Sequence, residues 1–122
     1  MHTAVVLVIA AAFLAMGGYA LVAPAAIARP FGTRVDTPDG RSEIRAVYGG
    51  FGLAVAVMLA LAAFGPGGVR DGVIATTAAA LAGMAAGRLI SRLVDQPVPF
   101  YPVWLFFWIE TIAAAVLFAI LP

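Results

Sequence analysis

From Thr3 to Ala28 the chain carries no charged side chain at all. A segment of that length and character is what a helix needs to cross the roughly 30 Å hydrocarbon layer of a bilayer, which takes about 20 mostly apolar residues. It is not alone. Similar runs extend over 43–64, charged only in its first turn, over 69–94, interrupted by Arg88 and Arg92, and over 103–121. In hydrocarbon every backbone N–H and C=O must find a partner within the protein, so runs of this kind fold as helices. The spacing predicts an all-α fold, an integral membrane bundle of four transmembrane helices in one domain over residues 1–122. The first run lacks the basic stretch that opens a secretory signal, and its apolar part outruns a signal's short hydrophobic core, so it is expected to be a retained helix.

Composition agrees. Of 122 residues, 64% are hydrophobic and 11% charged, and the mean hydropathy is +1.07, whereas soluble domains carry about 25% charged residues. There is too little polar surface to cover a particle in water. The absence of Cys removes thiolate metal sites, disulfides and a Cys nucleophile, and one His, at position 2, cannot build a metal site. No metal and no cofactor are expected. A net charge of +1 gives nucleic acid no electrostatic handle.

The connections carry the punctuation. "RPFGTRVDTPDGRS" reads as a loop ending at Ser42, an expected N-cap, with Asp36, Asp39 and Gly40 as turn residues. "GPGGVRDG" reads as a tight turn and "DQPVPFYP" as an extended link. Pro24 is expected to kink or loosen the first helix. All seven cations are Arg, and Arg29, Arg34, Arg41, Arg45, Arg88 and Arg92 fall on the first and third connections or the helix ends beside them, against Arg70 alone on the other side. The positive-inside rule then predicts a multi-pass protein with the first and third connections in the cytoplasm and both termini outside.

Small residues mark expected seams. Ala75, Ala79, Gly83, Gly87 and Ser91 recur every four residues in the third run, and Ala46, Gly50 and Ala54 do so in the second, with Gly49 and Gly52 beside them. Small side chains let helices approach closely in lipid. Structural packing is the expected role of Gly49, Gly50, Ala79, Gly83 and Gly87.

Glu110 is the residue out of place, seven positions after Val103 in an otherwise uncharged run. At about 1.5 Å per residue it lies about 10 Å into its helix. Arg88, seven residues before Asp95, reaches about the same depth from the same side, and Tyr48, six after Ser42, about 9 Å. A lone charge in lipid costs at least about 2.5–3.5 kcal/mol, so such groups turn inward and pair. The expectation is a cluster of Tyr48, Arg88 and Glu110, with Arg45, Arg92, Asp95 and Glu43 at its cytoplasmic mouth. Three roles stand open for it. It is a salt bridge that holds helices, or a site for an amphipathic or anionic small molecule or a partner helix, or an acid/base centre. In the last case Glu110 and Tyr48 would be the catalytic residues of an isomerase or cyclase acting on a polyprenyl or sterol-like substrate. The partners implied are membrane lipid and either further copies of the chain or a larger membrane complex. Phe100, Tyr101 and Trp104 read as an interfacial aromatic belt, and Phe107, on the Glu110 face, as an apolar lining.

Taken together, "EIRAVYGG" opening the second helix, "GR" at Gly87–Arg88, "DQP" at Asp95–Pro97 and the Glu of the last helix have a counterpart. Over nearly its whole length the chain resembles a group of small bacterial four-helix membrane proteins described only as a domain of unknown function and distantly DoxX-like. Where that pattern usually has Gly after the Asp, this chain has Gln96. The resemblance implies the fold and draws attention to Arg45, Tyr48, Arg88, Asp95 and Glu110. It implies no reaction.

Overall fold

The computed structural model describes residues 2–122, and every element in it is helical. Helix α1 covers His2–Val22 and stops at Ala23, whose backbone (φ −134°, ψ 65°) leaves helical geometry. Pro24 is the cause: a proline pushes the residue before it out of the α region and offers no N–H to the preceding turn. The expected single span to Ala28 is therefore a helix ending at Val22 followed by a short separate helix, α2 (Pro24–Ala28). A 3₁₀ turn, Arg29–Phe31, is closed by Gly32 at φ 74°, a left-handed conformation that glycine adopts without strain.

Helix α3 (Pro38–Ile44) begins earlier than expected. Thr37, not Ser42, is the N-cap: its Oγ1 accepts the Gly40 N–H at 3.0 Å, Pro38 sits at the first helical position and Asp39 lies in the first turn. A hydroxyl followed by Pro and Asp satisfies the free N–H groups at a helix start better than a serine four residues into the same turn sequence. Asp39 and Gly40 are thus helical rather than turn residues. Through a wider π-type turn at Arg45–Gly50, α3 runs on into α4 (Phe51–Phe64). Gly65 and Pro66 lead into α5 (Gly67–Val94), and after the proline-rich link α6 covers Leu105–Ala119, preceded by a helical turn at Phe100–Trp104.

Four helical stretches are long and apolar enough to cross a bilayer: His2–Val22, Pro38–Phe64, Gly67–Val94 and Phe100–Ala119. That is the signature of a multi-pass membrane protein, and the all-α bundle follows from it. The chain divides into two compact units, the first ending at Pro66 and the second covering Gly67–Pro122. In the first unit α1 packs antiparallel on α4: the Thr3 hydroxyl donates to the Ala63 carbonyl at one end (3.4 Å), and Arg45 Nε donates to the Leu21 carbonyl at the other (2.9 Å). In the second, α5 and α6 form a hairpin.

The seams differ from the expected small-residue stripes. On α5 the buried positions are Ile74, Thr77, Ala78, Leu81 and Ala85, whereas Ala79, Gly83 and Gly87 are exposed, and a Cβ on Gly83 or Gly87 would meet nothing within 4 Å. The physical reason is helical pitch. At about 100° per residue a strict four-residue repeat winds about 40° around the helix at each step, while alternation of three and four stays on one face. The same correction applies in the second run: Ala46, Gly50 and Ala54 are exposed, and Gly49, Gly52, Ala56, Leu59 and Ala63 form the buried line. Gly49 and Gly52 keep their expected place in a seam, and Gly50 does not.

Candidate functional site: a buried arginine–glutamate pair

Glu110 continues the buried stripe of α6, which reads Glu110, Ala114, Leu117. Arg88 follows Leu81 and Ala85 on the buried side of α5 at the same alternating spacing. Since the helices are antiparallel and joined by a short link, a residue near the end of α5 falls opposite one near the start of α6. Arg88 Nε donates to Glu110 Oε1 and Arg88 Nη2 to Glu110 Oε2, both at 2.8 Å. This is the two-pronged geometry for which the planar guanidinium is suited, and charge-assisted bonds of this length are the strong ones.

Burial makes the pair consequential. Glu110 is 4% exposed, and the Arg88 side chain is 21% exposed. The Phe106 ring lies 5.9 Å from the Arg88 guanidinium carbon, one turn before Glu110 on α6. Carboxylate and ring face thus hold the cation from two sides, the ring through its electron-rich face. Beyond Phe106, Phe107 packs edge-on against both Trp104 (5.3 Å) and Trp108 (5.2 Å), so it belongs to an aromatic row at the start of α6.

The other residues of the expected cluster lie within their own units. Arg92 and Asp95, one and two turns beyond Arg88, are exposed and belong to no ion pair among the described residues. Asp95 turns its Oδ1 to the Gln96 N–H at 2.8 Å and serves the chain reversal after α5. Residues that extend past the apolar part of a helix have water as a competing partner, which is why the stripe stops pairing there. Arg45 is committed in the first unit to the Leu21 carbonyl, one of the last of α1, which Pro24 leaves without its usual helical partner. Tyr48 also belongs to the first unit, where it is exposed, and Glu43 is exposed as well.

Three contributors were not singled out from the sequence. Phe106 was readable, because it stands four residues before Glu110 and so shares its face. Gly17 is packed against backbone in the α1–α4 seam: a Cβ there would lie 2.8 Å from the Gly49 carbonyl oxygen. The adjacent Gly18 would meet nothing within 4 Å, and nothing in the pair "GG" tells which one faces inward. Thr111 buries its hydroxyl oxygen without a hydrogen-bond partner among the described residues, and no sequence signal marks it.

Chemically, the pair can hold two helices together in an apolar setting. Both carboxylate oxygens accept from one guanidinium. The model of one protein family, the domain of unknown function DUF4345, matches residues 1–121, and the chain belongs to that family. No curated protein and no solved structure matches it.

Proposed function

We propose that this member of a family without an assigned reaction is a non-catalytic, multi-pass protein of the bacterial inner membrane. Both termini lie outside, and the chain works as a self-associating or accessory component of a membrane assembly. The observation that carries this reading is the bidentate Arg88–Glu110 pair. Left alone, each charge would be costly in lipid. Joined, they make α5 and α6 a hairpin that keeps its register while its outer faces meet other helices or lipid. An anionic amphiphile is the small molecule that the reading favours, because the arginines outnumber the acids on the connection between α2 and α3. The holding role is favoured over the acid/base alternative because both Glu110 oxygens accept from Arg88.

Native mass spectrometry of the protein released gently from its membrane tests the reading. A discrete oligomer, or a constant partner chain, is the expected result. A bare monomer at all protein concentrations would contradict it.

A further inference from the structure

The chain segment that follows α1 holds a second polar feature, independent of the ion pair. Ala25, Arg29, Thr33, Arg34, Val35 and Asp36 line a recess of about 180 Å³. Sites for drug-sized molecules run to about 300–1,000 Å³, so this one is suited to a single small polar group. The buried side chain of Val35 anchors the loop beneath it, and Thr37 begins α3 directly after. The exposed pair Arg34 Nε–Asp36 Oδ2, 3.3 Å, partly neutralises the wall. Arg29 has no ion pair or side-chain hydrogen bond among the described residues. With Asp36 offsetting Arg34, the recess keeps one net positive charge, carried by two guanidinium groups and assisted by a hydroxyl donor.

Its setting says which anion fits. The recess begins one helical turn after the end of α1, where Val22 is 84% exposed. A large apolar side chain left exposed at the end of a membrane-length helix is in place among acyl chains. A cationic recess next to them is then at headgroup level, on the side where the arginine excess places the cytoplasm.

We propose that this recess binds the phosphodiester of a phospholipid headgroup from the inner leaflet, with Arg29 as its principal ligand and Arg34 and Thr33 as supporting donors. A phosphodiester carries one negative charge, matched to the single net positive charge of the recess. A phosphomonoester or free phosphate carries about −1.5 to −2 near neutrality, and Asp36 opposes the excess. The recess thereby prefers a singly charged diester whose acyl chains lie along Val22. This rests on the membrane reading above and names the class of amphiphile that the basic connection takes.

The test is titration calorimetry of the full chain, delipidated in a nonionic detergent, with a short-chain phosphatidylglycerol, and separately with inorganic phosphate. The wild-type chain should bind the lipid saturably and inorganic phosphate more weakly. Arg29→Gln should weaken the lipid about tenfold, the loss expected for one charge-assisted hydrogen bond, and Arg34→Gln should weaken it in the same direction. Arg41→Gln, which removes a charge outside the recess, should leave it within about twofold. Unchanged affinity in Arg29→Gln overturns the site, and equal losses in Arg29→Gln and Arg41→Gln reduce it to diffuse surface charge. Inorganic phosphate binding as tightly as the lipid overturns the assignment to a diester. Alkaline washing of cell membranes separates this inference from the reading beneath it. A chain released by the wash ends the membrane reading, whereas a chain that stays in the membrane but is indifferent to Arg29 ends only the headgroup site.

Discussion

The two helical units solve one problem by opposite means. In lipid, helices gain little from hiding apolar surface, so association has to come from close packing or from polar contacts. The α1–α4 pair relies on close packing along its seam, with a single hydrogen bond near each end. Gly17, Gly49 and Gly52 remove side chains where the backbones cross, and a Cβ on Gly52 would sit 3.2 Å from the Gly17 Cα. The α5–α6 hairpin relies on one polar contact. Its glycines face outward, and Arg88 and Glu110 share two 2.8 Å hydrogen bonds within a mostly apolar seam. The first arrangement spreads its stabilisation over many weak contacts. The second concentrates it in two residues, so the units should respond differently to single substitutions.

The largest effect is expected at the ion pair. Arg88→Met leaves the Glu110 carboxylate buried without its partner, and such a loss costs about 3–5 kcal/mol. Thermal unfolding followed by circular dichroism in detergent micelles should show it as a marked fall in midpoint. A smaller loss is expected in the other unit. Gly17→Val adds bulk 2.8 Å from the Gly49 carbonyl, and overpacking of this kind costs about 1–3 kcal/mol. The effect should shrink for Gly18→Val, whose side chain points into open space. The smallest change, with the opposite sign, belongs to the outward stripe. Gly83→Ala and Gly87→Ala each should leave the fold intact and gain about 0.5–1 kcal/mol of helix stability. If either of them instead destabilised the monomer as much as Gly17→Val, the contrast between the units would be lost.

How much of this could be read beforehand depends on the physics behind each feature. Counting residues from the helix ends brings Arg88 and Glu110 to one depth, because rise per residue is nearly constant in a helix. Local chemistry was harder. A single proline divided the first apolar run, and Thr37–Pro38–Asp39 outcompeted Ser42 for the start of α3, since composition marks a span but caps mark its ends. Which small residues form a seam was least legible. Gly17 and Gly18 differ by about 100° around the helix, and only the partner's position decides between them. For Tyr48 the depth is counted from Ser42, and the start of α3 at Pro38 changes that count.

The central claim is that Arg88 and Glu110 act as a unit that holds α5 to α6. A double-mutant cycle tests it most directly, with Arg88→Met, Glu110→Gln and the two combined compared for unfolding free energy in the same micelles. Coupled groups show interaction energies of about 0.5–3 kcal/mol, so the double variant should be clearly more stable than the sum of the single losses requires. Losses that simply add, to within about 0.3–0.5 kcal/mol, would contradict the claim and leave the pair as two independent residues that happen to lie together.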